Sequence, residues 1–232
     1  MTGRWAWSGV AVEEVRAVLT RRDGLVAGWM LATVLAFYGN FLFVHSTGLS
    51  FVFAVGSFGV GLALARVDPL LRELLALGTI GGFVELLGDY FLVEIAGTLS
   101  YPAGYPQLLR SPAYMPVAWA VLIAFLGYVS VRVGEEFGAR AAVLAPAVVA
   151  LVSESGFESL ASRGGGWVYT VAPLGWIGHA PLFIVVAEGL MFATVAYWVR
   201  RGPLVGGLGM GTTIVASYVG VFYLFGLLGS VV

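Results

Sequence analysis

The sequence predicts an all-α polytopic membrane protein: seven transmembrane helices, N-terminus inside and C-terminus outside, preceded by a short amphipathic helix. Three observations lead there. Hydrophobic residues make up 59% of the chain and charged residues 11%, with a mean hydropathy of +0.94, a composition that belongs to membrane proteins and not to water-soluble globules. Apolar runs of roughly 20 residues, the length that crosses a hydrocarbon core, recur along the chain. The arginines fall almost entirely on one side of the topology those runs define.

Residues 1–23 read as an interfacial segment. Arg4, Glu13, Glu14, Arg16, Arg21, Arg22 and Asp23 interrupt it too early for a secretory signal. Residues 8–22 suit a short helix with Ser8 as N-cap and Val10, Val15, Val18 and Leu19 on one face. Trp5 and Trp7 beside Arg4 suit a membrane interface. Residues 24–232 then form a single seven-helix transmembrane domain, with spans at about 24–45, 48–66, 72–97, 113–132, 141–162, 178–199 and 203–231. Asp68-Pro69, Gly202-Pro203 and the segment 134–140 mark turns. Pro116, Pro146 and Pro181 sit within or near span starts, where neighbouring helices satisfy the freed carbonyls.

Arginine placement orients the bundle. Arg4, Arg16, Arg21, Arg22, Arg66, Arg72, Arg132, Arg140, Arg200 and Arg201 share one side, and only Arg110 and Arg163 take the other. This is the positive-inside pattern, and an even number of spans would break it. The outer connections 98–114 and 163–178 are aromatic and rich in proline or glycine. They are too apolar for solvated loops and read as lids on or in the membrane, or as an interfacial aromatic belt.

Two carboxylate pairs stand out, Glu85/Asp89 and Glu154/Glu158. Each pair is spaced i,i+4, which stacks both acids on one helix face. An acid at membrane depth costs about 2.5–3.5 kcal/mol on the insertion scale unless it is neutralised, paired or hydrated, so such residues mark functional sites by default. At 1.5 Å per residue, both pairs fall in the middle or outer half of outward-running spans. Asn40 and His45 lie at a similar level in the first span, as do His179 and Glu188 in the sixth. Glu94 reads as an interfacial carboxylate and His45 as loop-facing. Arg110 and Arg163 are the natural counter-ions for the acids. No comparable polar cluster is expected in the inner half. Residues 72–162 and 141–199 share acid pairs but little else, so no inverted repeat is expected.

Several chemistries are excluded. Without cysteine or lysine there is no disulfide, no thiolate metal site and no Schiff base. Two histidines cannot build a His-rich di-iron site, and no basic patch suits nucleic acid. The glycine run 206–211 lies in a span, where it suits close helix packing and leaves room for a homo-oligomer.

Close carboxylates in a low-dielectric site cannot easily both ionise, so one retains a proton and can act as an acid while its partner serves as base. Trp119, Trp167, Trp176, Tyr90, Tyr101, Tyr114 and Tyr169 supply aromatic faces that stabilise cations. Acid, aromatic lining and lipid access together suit protonation of a carbon–carbon double bond and shielding of the carbocation. Asp89 or Glu158 would donate, with Glu85 and Glu154 as partners. Asn40, Tyr90, Tyr101, Tyr114, Trp119, Trp167, Tyr169, His179, Glu188, Arg110 and Arg163 would form the substrate-binding surround.

Glu85-x-x-Gly88-Asp89-Tyr90-Phe91, then Tyr101, then residues 111–119 (Ser-Pro-Ala-Tyr-Met-Pro-Val-Ala-Trp) resemble the first signature of the integral-membrane carotenoid hydratases. The stretch from Glu154 to Glu158, then Trp167-Val168-Tyr169 and residues 178–183 (Gly-His-Ala-Pro-Leu-Phe), resembles the second. The resemblance spans about residues 80–195. It implies a membrane enzyme of carotenoid metabolism in a prokaryotic cell membrane, using no cofactor and acting on a hydrophobic lipid substrate. Two alternatives stand beside it. The i,i+4 acid pairs suit Mg²⁺ in a prenyl-diphosphate enzyme, and buried acids equally suit a proton-coupled transporter or small-ligand binding protein.

Overall fold

The computed structural model describes residues 20–104 and 106–230. Most of the amphipathic segment expected over 8–22 lies outside them. Its last two residues, Arg21 and Arg22, open the first helix, α1 (Arg21–Gly39), because a capping box at Thr20 starts the helix there. Asp23 N donates to Thr20 Oγ1 and Thr20 N donates to Asp23 Oδ2, satisfying two otherwise unpaired donors.

Seven helical rods follow among the described residues. α1 runs into a π-helical turn, Asn40–Val44. α2 covers Thr47–Leu64 with Ser46 as its cap. α3 covers Pro69–Tyr90, capped by Asp68 with Pro69 in its first turn, and ends in a second π-helical turn, Phe91–Ile95. α4 (Met115–Phe137) and α5 (Ala139–Arg163) join through Gly138 alone, at φ 85°, a conformation that favours glycine. The sixth rod breaks at Thr194 into α6 (Leu182–Ala193) and α7 (Val195–Val199), and α8 (Gly202–Gly229) completes the bundle. Six rods are long and apolar enough to cross a membrane. The exception is α3, which carries Arg72, Glu73, Glu85 and Asp89.

α3 is central, packed on α4 along one side and on α8 along another. Glycines permit that closeness. A Cβ on Gly82 would lie 2.2 Å from the Pro116 carbonyl oxygen of α4, and one on Gly207 of α8 would lie 2.7 Å from the Leu77 carbonyl oxygen. The α8 glycine run thus packs within the chain, as small residues do between membrane helices. Its buried row, Gly207, Gly211, Ile214, Tyr218 and Val221, follows the spacing of one helix face.

The lids contain six two-residue strands. In the first, β1 (Leu99–Ser100) precedes a hairpin of β2 (Gln107–Leu108) and β3 (Ser111–Pro112). In the second, β4 (Val168–Tyr169) precedes a hairpin of β5 (Trp176–Ile177) and β6 (Ala180–Pro181). One constant shift in residue number carries each strand onto its counterpart, and also carries Glu85 onto Glu154 and Asp89 onto Glu158. β1 pairs antiparallel with β4, Leu99 opposite Tyr169 and Ser100 opposite Val168, so equivalent strands meet about a local two-fold axis. The two units are therefore an internal repeat in which both leading helices run toward the lids, not an inverted one. The halves share backbone plan more than residue identity, and only the structure displays it.

A correction to the sequence reading concerns the end of the bundle away from the lids. Asp23, Asp68, Tyr128, Arg132 and Glu135 meet there. Arg132 Nη2 lies 2.7 Å from Asp23 Oδ2, the Tyr128 hydroxyl donates to Asp23 Oδ1 at 2.7 Å and lies 3.3 Å from Asp68 Oδ2, and Arg132 also pairs with Glu135. Tyr128 and Arg132 are one turn apart on α4, so a single face gathers the acids of α1 and of the α2–α3 turn.

Two substitutions test this packing. Gly82→Ala should destabilise the protein by about 1–3 kcal/mol, because a backbone oxygen must yield. Gly28→Ala, with nothing within 4 Å, should be neutral or slightly stabilising. Thermal unfolding of the two variants in one detergent checks the contrast, and equal melting points would contradict it.

Candidate functional site

The lids lie over five buried carboxyls. Glu85, Asp89 and Glu188 are 0%, 3% and 1% exposed, and Glu154 and Glu158 are 7% each. Helical spacing stacks each i,i+4 pair, and the lids supply the donors that apolar helices lack. Over α3, the Tyr101 hydroxyl donates to Asp89 Oδ2 at 2.7 Å and the Ser111 hydroxyl donates to the same oxygen. Over α5, Trp167 Nε1 donates to Glu158 Oε2 at 2.7 Å, and Tyr169 hydrogen-bonds the same carboxyl. The lids are themselves joined by the β1–β4 pair, by Thr98 Oγ1 donating to the Val171 carbonyl, and by Thr170 N donating to the Thr98 carbonyl at 2.8 Å.

The five acids form one electrostatic group. Asp89 interacts with Glu158, Glu85 with Glu188, and Glu188 with both Glu154 and Glu158. The Tyr218 phenol of α8 sits against Glu188. Tyr101 and Tyr169, in the lids, are held well above the usual phenol range by burial first and by the neighbouring carboxyls second; both therefore remain donors at any ordinary pH. Glu85 lies against Asp89, yet neither of its oxygens has a partner in hydrogen-bonding geometry, and Glu188 Oε2 has none either. Among the described residues, no three of His, Asp and Glu are placed to share a metal ion.

A cavity of about 130 Å³ opens beside this group. Glu154, Glu158 and Glu188 line it with Trp119, Trp167, Tyr114, Phe37, Phe125 and Phe157, and Thr33, Val34 and Ser57 complete the α1–α2 wall. Trp119 stacks on Phe192 at 6.4 Å, and Trp167 meets Phe157 at 5.8 Å and Phe41 at 5.9 Å. Glu85 and Asp89 are not part of this wall. The two halves of the repeat thus differ. The α5 pair faces open space, while the α3 pair is sealed beneath the first lid. The shift that relates the halves also carries Trp119 onto Glu188, both on the cavity wall.

The structure brings Tyr101, Tyr114, Trp119, Trp167, Tyr169 and Glu188 to the acids or the cavity, as the sequence suggests. Five other residues lie elsewhere. Asn40 spends its amide on the α1–α2 turn, donating to the Ser46 carbonyl and Ser50 Oγ and accepting from Ser46 N. Tyr90 is 40% exposed, since the residue after Asp89 points about 100° around the helix. His179 is exposed at the tip of the second hairpin, with its backbone N–H on Ser159 Oγ. Arg110 pairs with Glu94 at 2.8 Å on the outside of the first lid. Arg163 is exposed at the end of α5 and forms no ion pair with the acids among the described residues. The acids therefore lack the arginine counter-ions expected for them. Ser111 and Tyr218 were missed. Ser111 lies within the first signature stretch, and Tyr218 falls on the same face as the α8 glycines, a periodicity visible in the sequence.

The geometry defines a helical bundle with membrane-length apolar helices and an acid-lined interior cavity. Residues 86–230 match the family described as Domain of unknown function (DUF6989), and the chain belongs to that family. No curated protein and no solved structure matches it.

Removing the lid donors should loosen the lid. Tyr101→Phe and Ser111→Ala each leave a buried carboxyl short of a donor, a loss of about 1–3 kcal/mol. Thermal unfolding should show a lower melting point for each and a less than additive loss for the double variant, since both hydroxyls serve one oxygen. An unchanged melting point in the double variant would contradict the assignment.

Proposed function

We propose that the protein is an integral-membrane enzyme that protonates a carbon–carbon double bond of an isoprenoid or carotenoid-like lipid, as a hydratase, cyclase or isomerase without a redox cofactor. In this reading all seven rods span a prokaryotic cell membrane, with the N-terminus inside and the lids and C-terminus outside. The arginine asymmetry and the lid placement support that orientation.

One observation carries the proposal: Glu158 lines an aromatic apolar cavity while Trp167 Nε1 fixes one of its oxygens. A carboxylic acid held this way gives its proton to an alkene carbon. The π electrons form the new C–H bond, and the adjacent carbon becomes cationic. Trp119, Phe37, Phe125 and Phe157 line the same wall, and aromatic rings attract cations. Glu154, one turn away, or the Glu158 carboxylate then takes a proton from a neighbouring carbon, which isomerises the double bond. Attack by water instead gives hydration, and attack by a second double bond gives cyclisation. Asp89 and Glu85, sealed under the first lid, support the electrostatics of the group and keep that lid seated.

Membranes holding the protein, incubated in D2O with an acyclic carotenoid, a polyprenyl alcohol or a sterol-like lipid, test the reaction. At least one lipid should gain carbon-bound deuterium, with water added if the product is a hydrate. Glu158→Gln should lower incorporation by about 10²–10⁴-fold while eluting as wild type does. No incorporation into any of the three, or full activity in Glu158→Gln, would refute the assignment.

A further inference from the structure

We propose that the cavity between α1, α4, α5 and α6 is a binding site for a lipophilic amine, held as its ammonium ion against Glu154, Glu158 and Glu188 and selected over any anionic amphiphile. The inference rests on the reading above only in taking the walls to accommodate a cation; it requires no turnover.

Four observations converge on it. Three carboxyls line the cavity, and no arginine or histidine among the described residues does. Glu188, which lines the cavity, is 1% exposed, and its buried Oε2 has no hydrogen-bond partner. A group left in that condition is costly unless something fills the gap. Trp119, Trp167, Phe37, Phe125 and Phe157 line the cavity with the acids, and aromatic rings are the recurrent lining for alkylated ammonium ions. Finally, the chain places its outer arginines elsewhere, Arg110 on Glu94 and Arg163 exposed. A phosphate or carboxylate head would meet three carboxyls and, among the described residues, no cation.

The route in is lateral. α1 is fixed at both ends. At one, Asp23 meets Arg132 and Tyr128. At the other, Phe41 packs so closely on α5 that a Cβ on Gly164 would lie 2.8 Å from it. Between these anchors α1 leans on α2, through Trp29 Nε1 on the Ser57 carbonyl and Thr33 on Ser57 Oγ, and meets α4 and α5 through side chains, Trp29 on Phe125 at 4.6 Å and Phe37 and Tyr38 on Phe157 at 5.8 and 6.1 Å. Val34, on the cavity wall, is 40% exposed. At Val34 the cavity wall reaches the outer face of α1, so in this proposal a ligand dissolved in lipid reaches the acids from that side and not through the lids. A tertiary amine enters as the free base. Its nitrogen then takes the proton of a carboxylic acid, leaving an ammonium–carboxylate pair and no net change of charge.

Binding of tritiated N,N-dimethyldodecylamine to the full chain in nanodiscs tests the proposal, with dodecyl phosphate and dodecanol as equal-length competitors. Wild type should bind saturably beyond empty nanodiscs. Unlabelled amine should displace the label at concentrations at least about tenfold below those needed for either competitor, a difference of roughly 1.4 kcal/mol. Glu188→Gln and Glu158→Gln should each weaken binding about tenfold or more, as loss of a buried charge partner does. The wild-type competitor series stands even if a variant fails to fold. No saturable binding, or equal displacement by dodecyl phosphate, would overturn the proposal. Amine binding without deuterium incorporation would uphold this site and refute the proposed reaction; incorporation without amine binding would do the reverse.

Discussion

The structure turns on one constraint: five carboxyls buried in an apolar bundle with, among the described residues, no basic side chain paired to them. Charge burial of this kind is normally offset by a paired cation. Here the offset comes from neutral donors on two lids. Tyr101 and Ser111 hold Asp89, and Trp167 and Tyr169 hold Glu158. The lids must therefore sit down onto the helices, which explains why they are aromatic, why β1 and β4 join them, and why Thr98 is fully buried among them. The opposite end of the bundle uses the conventional solution, an arginine between aspartate and glutamate. The contrast between the two ends separates an ion-paired cluster from one held by neutral donors.

The internal repeat explains how such a site is assembled. Two helix–lid units, each with an acid pair near the end of its first helix, meet about the β1–β4 axis. Each unit alone would leave its acids at an unpaired edge; together they form one group. Divergence then assigns unequal tasks. The first unit closes over Glu85 and Asp89 and contributes Trp119 to the wall, whereas the second leaves Glu154 and Glu158 facing the cavity and adds Glu188 where the first has tryptophan. The glycines of α3 and α8 permit the close packing that keeps water away from the centre.

Much of this was legible in the sequence, for physical reasons. Apolar runs set helix lengths, so all seven rods lie within a few residues of expectation. Acids in such runs are costly, so the two pairs announced themselves, and Tyr101, Trp167 and Tyr169 stood in the connections expected to cover them. What failed was direction around the helix and partner choice. Asn40, Tyr90 and His179 were placed by depth alone, and depth does not say which way a side chain points. Arg110 and Arg163 were chosen as the available cations on that side, but a short link to Glu94 and simple exposure took them away. The repeat stayed hidden because backbone plan was retained while few residues were. The Asp23–Arg132 cluster was hidden because its members lie on three separate segments that only tertiary packing unites.

An experimental structure of the protein extracted with its native lipids tests the central claim most directly. The account predicts elongated density entering between α1 and α5, running along Trp119 and Phe157 and ending within contact distance of Glu158 and Glu188. A bundle in which α1 closes against α5, with side chains filling the cavity and lipid confined to the outer surface, would contradict it.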